Sequence, residues 1–461
     1  MNAERLTSPL DFTSSCRLPD SKTIRIYDST LRDGEQMPGV AMSPEQKFRI
    51  AKELSILGCH ILDVGFPVVS ADECRALQLI LDGKQRGEIR DDVEIVIMCR
   101  AIAQDIDKTI SEIERMGFST GDVVFELFTS ASPLHVRYKL GPGLLRREGG
   151  VANLNSLEDT PYSVFHQANL RMVREGLEHA RARGVCKIEF GGEDSSRTPL
   201  ELLLELLQTA ADAGMDRCVF ADTIGTLTPE STLHYCTALT KAFPNLERVS
   251  HFHNDFGLAT ANVITGVLNG FTTFTTTVNG LGERAGNASL HTVVTSLKYL
   301  YGLEIPNFQY DRLNHIKRVV EEISGVPVAA QEPVIGHNAF SHESGIHTHG
   351  VAITRAMYEP IPYEDVGGIP RFVYGKHSGL TTILNLLREH SHEFGTELTR
   401  ELANEVLEEV KACRIRATKN GTTGSAIRSY YENLEGMSLS PEDVLAIAKQ
   451  SLASLRVAKG A

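Results

Sequence analysis

Eight short β-rich apolar runs, most of them separated by segments of helical spacing, occupy the first 280 residues and restrict what the chain can fold into. They are 24–28 (IRIYD), 60–66 (HILDVGF), 93–98 (VEIVIM), 122–128 (DVVFELF), 185–190 (VCKIEF), 217–222 (RCVFAD), 248–253 (RVSHFH) and 272–278 (TTFTTTV). Segments 44–57, 103–116, 164–183 and 199–213 carry apolar residues three and four apart, the period of a half-buried helix. Strand starts fall mostly about 24–36 residues apart, the length of a βα unit with its return helix. Eight such units predict a (β/α)₈ barrel. An open doubly wound sheet is the alternative, weakened because no GxGxxG or Walker loop follows any of the runs. The interval between the fourth and fifth runs is about twice the others, and its Gly/Pro/Arg-rich stretch 141–161 reads as an active-site loop or insertion.

The rhythm changes after Leu300. Helical patterns at 311–324 and 379–390 flank a Gly/His/Pro-rich region, 333–377, and two more follow at 397–415 and 440–455. Ser440 and Pro441 make a good start for the last one. The division expected is an N-terminal arm (1–23), the barrel (24–300), a linker subdomain (301–395) and a small helical subdomain (396–461).

Composition removes several classes. With 46 basic and 59 acidic side chains the net charge is −13, which disfavours nucleic acid and anionic membrane as partners. No apolar run approaches the roughly 20 residues of a membrane span. The polar N-terminus lacks the apolar core of a secretory signal. Eight cysteines, none in CxxC spacing, read as free thiols of a reducing compartment, so a cytoplasmic protein is expected.

In a (β/α)₈ barrel the chemistry sits at the C-terminal strand ends, and polar residues gather there. The first run ends in DSTLRDGEQ, with Arg32, Asp33 and Gln36; the second in Asp63; the third in Arg100. The fourth leads to His135, the fifth contains Glu189, and the sixth ends in Asp222-Thr223. The seventh carries His251 and His253, and the loop after the eighth, NGLGERAGN, carries Asn287. On a strand, i and i+2 face the same way, so His251 and His253 can bind one divalent ion, with Asp33 as candidate carboxylate and Asn287 as candidate amide oxygen. Arg32, beside Asp33, is placed to stabilise developing negative charge. Gln36 and Arg100 are substrate-binding candidates by position. HESGIHTHG is not the zinc motif HExxH: the spacing of His342 and His347 is five, and Gly345 should interrupt a helix there.

The strings DSTLRDGEQMPG, EFGGEDSSRT, ADTIGTLTP, HFHNDFGLATAN, NGLGERAGNASL, HESGIH and GKHSG resemble the family of 2-isopropylmalate, homocitrate and citramalate synthases, related to the hydroxymethylglutaryl-CoA lyases. The resemblance spans about residues 24–390. It implies a metal-dependent Claisen condensation of an acyl-CoA, usually acetyl-CoA, with a 2-oxo acid, and hydrolysis to a 2-hydroxy diacid. It implies Asp33, His251, His253 and Asn287 as ligands of Zn²⁺, Mn²⁺ or Mg²⁺, and Arg32 as the enolate-stabilising group. His135, Glu189 and Thr223 match residues near the 2-oxo acid, and His347 with Tyr358 the proton-handling pair. It further implies a domain-exchanged homodimer in which the linker subdomain covers a partner's site. The lyases carry a catalytic Cys in a GGCP element that this chain lacks, which favours a synthase over a hydroxy-acyl-CoA lyase. The unusual segment 140–161 leaves open an aryl-, alkyl- or phosphono-substituted 2-oxo acid. The last 65 or so residues are too few for a leucine-type regulatory domain, so no leucine feedback is expected.

Overall fold

The structure, a computed structural model, describes residues 17–147, 153–393 and 399–419, with a few isolated positions beyond. The chain divides into two compact units. One contains the described residues up to Met37, Met42–Ala339 and Ile361–Ile369; the other contains Pro38–Ala41, Phe340–Pro360 and the described residues from Pro370.

Eight parallel strands close a barrel in sequence order: β1 (Arg25–Asp28), β2 (Ile61–Asp63), β3 (Glu94–Arg100), β4 (Val124–Ser130), β5 (Ile188–Glu193), β6 (Arg217–Asp222), β7 (Glu247–Phe252) and β8 (Thr273–Thr276). The closing pair sets Tyr27 against Thr275 and Asp28 against Thr276. Each expected strand overlaps an observed one, because runs buried on both faces have no polar periodicity to misread. Tyr27, Ile61, Val96, Val124, Val219 and Val249 form one buried cluster in the interior.

The helices follow local signals. Pro44–Leu57 begins on a capping box, in which Ser43 accepts from the Gln46 amide and Gln46 returns the bond, and ends at Gly58 in the left-handed region (φ 111°). Tyr162–Ala182, Leu200–Asp212, Pro229–Ala242 and Ala259–Leu268 complete the later βα units. Segment 141–161 differs from the loop expected. It holds short helices at Gly141–Arg147 and Leu154–Asp159, and Leu144 and Leu157 pack with Val136 and Phe165. Arg137 ties the segment down by donating to the carbonyls of Leu157, Glu158 and Thr160.

The N-terminal end of the barrel is closed by charge. Arg217 is fully buried and bonds Glu189, Glu94 and Glu247, while Arg25 bridges Glu94 and Glu247, and Lys187 reaches Glu94.

The barrel unit runs beyond the expected boundary at 300. Helix Leu313–Ser324 lies within it: Arg312 and His315 reach Glu53, and Asn279 donates to the Lys317 carbonyl. In the second unit a two-stranded parallel sheet, β9 (Ser341–His342) with β10 (Arg371–Phe372), accompanies helices Gly345–Ile353, Leu380–Glu389 and Arg400–Lys419. Ile383, Leu387, Ala403 and Leu407 make its core. Gly345 opens a helix where an interruption was expected, since a first-turn glycine keeps its flexibility cost but breaks no earlier turn. The helix expected at 440–455 lies outside the described stretches.

Candidate active site and metal centre

A cavity of about 330 Å³ opens at the C-terminal end of the barrel, within the size range of small-molecule sites. Its lining draws Arg32, Asp33 and Gln36 from the β1 loop, Glu193 from β5, Thr223 after β6, His251 from β7 and His253 just after it, and Arg284 after β8.

At its centre, Asp33 Oδ2 lies 3.5 Å from His251 Nε2 and 3.6 Å from His253 Nε2, and the two imidazole nitrogens are 3.3 Å apart. Asp33 is 2% exposed, and both imidazoles are buried as well. Each of the three offers one atom to a common point. The outer partners are fixed: Thr275 Oγ1 is 2.8 Å from His251 Nδ1, and the Asn287 amide donates to Asp33 Oδ1 at 2.9 Å. The Asn287 Oδ1 atom is buried with no hydrogen bond, so a hard acceptor is left over beside the cluster.

The charge states suit a cation. Burial raises the carboxyl of Asp33, but Arg32, then His251 and His253, outweigh it and hold the group well below the carboxylate range. Burial, reinforced by His253, pushes His251 down to about 3, and burial likewise lowers His253. At neutral pH the set is one carboxylate and two neutral imidazoles, the forms that bind metal. No other cluster of three such ligands occurs among the described residues.

Arg32 bridges Asp33 (Nη1–Oδ2 2.9 Å) and Asp63 (Nε–Oδ2 2.6 Å), and Asp63 also accepts from Ser29 Oγ at 2.7 Å. Arg32 is thereby aimed into the cleft as a fixed cation. Lys47, fully buried, holds Glu35 and Glu73, while Glu35 accepts from the Met42 amide, so the loop carrying Asp33 and Gln36 is tied to the first helix. The loop after β8 depends on glycine: a Cβ on Gly282 (φ 151°) would stand 2.2 Å from Asn287 Nδ2 and 2.9 Å from Asp33 Oδ1.

Not every residue expected near substrate is there. Glu189 is corrected: it is fully buried inside the barrel, with Oε1 accepting from Tyr27 at 2.8 Å and Oε2 from Arg217 Nε at 2.7 Å. The carboxylate that β5 presents to the cleft is Glu193, four residues further on, paired with Lys139, with Ser130 Oγ at 2.9 Å and with His135 Nδ1 at 3.8 Å. Ending the fifth run at Phe190 stops the strand too early; Glu193 lies on the same face as Glu189 by period two. Arg100 is also corrected. It pairs with the nearby Asp105 and lines a separate depression with Lys139 and Arg146. His135 stands at the rim, between Glu193, Asp194 and Arg197. Thr223 lines the cleft and accepts from the Asp194 amide at 2.8 Å. Glu126, on β4, lines the cleft and was missed altogether.

In the second unit, His347 and Tyr358 stack with ring centroids 4.2 Å apart, and His342 Nε2 is 3.4 Å from Glu359.

Residues 23–145 and 162–320 match the HMGL-like family model, and 334–418 match the model described as homocitrate synthase post-HMGL domain-like. The chain is 39% identical over 393 residues to 2-isopropylmalate synthase of Sulfolobus acidocaldarius, covering 85% of this chain and 91% of that one. It is 36% identical to a homocitrate synthase of Methanocaldococcus jannaschii, covering 86% of this chain and 87% of that one. Among solved structures, the HMG-CoA lyase of Bacillus subtilis shares the barrel fold, with a TM-score of 0.52 at 20% identity over 68% of this chain and 98% of that one.

Proposed function

The chain belongs to the HMGL-like family, and on that premise we propose that it is an acyltransferase condensing acetyl-CoA with a 2-oxo acid to a 2-hydroxy diacid. The observation that carries this is the buried Asp33–His251–His253 cluster beside Arg32 in a cavity of about 330 Å³. The post-HMGL match at 334–418 favours a synthase over a lyase.

Asp33, His251 and His253, with Asn287 Oδ1, would hold a divalent ion, which when bound would supply Lewis-acid polarisation of the 2-oxo acid's ketone. Arg32 stabilises the negative charge that develops when acetyl-CoA loses an α-proton. The new C–C bond forms between that carbon and the ketone carbon, the ketone oxygen takes a proton, and water then cleaves the thioester to a carboxylate and free CoA. Gln36 and Thr223 orient the 2-oxo acid. His135 and Glu193 form the rim against which it packs. The His347–Tyr358 pair is assigned to proton handling, delivered by the second unit of another copy of the chain in a domain-exchanged dimer. The barrel is read as the catalytic domain and the segment after it as the cover. All seven described cysteines are unpaired, and no helix among the described residues is long and apolar enough to cross a membrane; both support a cytoplasmic setting.

The test is release of CoA thiol from acetyl-CoA with a divalent metal and a panel of 2-oxo acids: pyruvate, 2-oxoisovalerate, 2-oxoglutarate, phenylpyruvate and phosphonopyruvate. Release that depends on the oxo acid and on metal, and that His251→Ala abolishes, is expected. Release independent of both would refute the proposal.

A further inference from the structure

Glu126 lines the cleft, yet only 8% of it is exposed and no described residue donates a hydrogen bond to its carboxyl. It sits on β4 in register with Met98 on one side and Glu189 on the other. The space over it is kept open by Gly191: a Cβ there would stand 3.5 Å from Glu126 Oε1 and 3.4 Å from the Val219 Cβ. The cavity wall also offers apolar surface, with Phe66, Met98, Phe128 and Val219.

A buried carboxyl without partners is costly to leave unpaired, so a bare one facing a cavity points to a ligand that supplies the missing bonds. The ligand group is constrained by charge. The nearby cations are engaged: Arg32 by Asp33 and Asp63, Arg217 by Glu94, Glu189 and Glu247. A second anion would meet the carboxylates of Asp63 and Glu189, while Arg32 is already shared between Asp33 and Asp63. Burial, then Glu189 and Asp63, also raise the Glu126 carboxyl well above its usual range. In its neutral form it both donates and accepts, which matches a hydroxyl and suits neither a carboxylate nor a hydrocarbon.

We propose that Glu126 is the specificity-determining residue of the cleft and hydrogen-bonds a hydroxyl on the side chain of the 2-oxo acid, so that a hydroxylated 2-oxo acid is preferred over its aliphatic or dicarboxylic counterparts. This rests on the condensation proposed above. It narrows the substrate class, against both a phosphono and a plain alkyl side chain.

The experiment compares kcat/KM for CoA release within matched pairs: hydroxypyruvate with 2-oxobutyrate, 4-hydroxy-2-oxobutyrate with 2-oxopentanoate, and 4-hydroxyphenylpyruvate with phenylpyruvate. The native protein is expected to favour the hydroxylated member of at least one pair by about tenfold or more. Glu126→Met, similar in length, should bring that pair to parity or below, whereas Glu126→Gln, which still donates and accepts, should keep the preference. Near-UV circular dichroism and bound-metal content verify that each variant is folded with its metal site intact. The inference is overturned if the aliphatic member is used as well or better in every pair, or if Glu126→Met leaves the ratio unchanged. Absence of CoA release with all oxo acids, aliphatic ones included, would instead overturn the condensation on which it rests.

Discussion

Replacing Arg217 by Met removes the single cation that serves three carboxylates at the closed end of the barrel. Glu94 and Glu247 keep Arg25, and Glu94 also keeps Lys187. Glu189 keeps only the Tyr27 hydroxyl, and a buried carboxylate stripped of its partner costs about 3–5 kcal/mol. Protonation limits that cost. A Glu that ionises near pH 4.3 when unfolded needs about 3.7 kcal/mol to carry a proton at pH 7, and about 1 kcal/mol at pH 5, at 1.36 kcal/mol per unit. In the variant the folded state therefore binds one more proton than the unfolded state above about pH 4.3, so stability falls as pH rises. Burial already raises Glu189 with Arg217 in place, which is the same sign. In the native protein the opposite trend comes from Glu94, held at about 2. Burial raises that carboxyl, but Arg217 and then the Lys187 bond outweigh it, so its contribution is present above about pH 4.5 and is lost on acidification. Chemical denaturation of the barrel should show Arg217→Met destabilised by about 3–4 kcal/mol at pH 7, with roughly 2–3 kcal/mol of that recovered at pH 5. Adding Glu189→Leu should restore the greater part at pH 7, at the cost of leaving the Tyr27 hydroxyl without its acceptor. A loss independent of pH, or a double variant no more stable than Arg217→Met, would refute the assignment of Glu189 to the barrel plug and return it to the substrate site.

Two further outcomes follow from the segments that support the Asp33–His251–His253 cluster. Gly282→Ala places a Cβ against Asn287 and Asp33, so bound metal measured by elemental analysis should drop to a small fraction of the native content while the far-UV circular dichroism stays native. Lys47→Met leaves Glu35 and Glu73 without their shared buried cation and should cost about 3–5 kcal/mol in denaturant midpoint analysis; an unchanged midpoint would mean that those carboxylates are already solvated.

The strands and most helices were readable because their signals are local: apolar runs, three-and-four spacing, caps such as Ser43 with Gln46. So was the Asp33–His251–His253 cluster, because period two puts His251 and His253 on one face, and strand order brings β1 and β7 to the same rim. Depth along a strand was not readable. Glu189 and Glu193 have the same parity on β5, and only the barrel's stagger decides that one lies under Tyr27 and the other beside His135. Arg217 is fully buried although nothing in RCVFAD marks it as different from a surface arginine at a strand start. Segment 141–161 is rich in glycine and proline, yet Leu144 and Leu157 find Phe165 across a gap in sequence, a tertiary contact that overrides its local loop character.

The two ends of the barrel treat charge in opposite ways. At the closed end the Arg217 guanidinium and its carboxylates meet within bonding distance, and little is left for a ligand to add. At the open end, Asn287 Oδ1 and His253 Nδ1 are buried without a hydrogen bond, the Glu126 carboxyl receives none from a described residue, and two neutral imidazole nitrogens stand 3.3 Å apart. Leaving polar groups unpaired costs stability that packing elsewhere must offset. Asn287 Oδ1 and the Glu126 carboxyl lie where a cation and a hydroxylated side chain would satisfy them. Filling the cleft with ligand should therefore stabilise the fold more than its contact area alone would give.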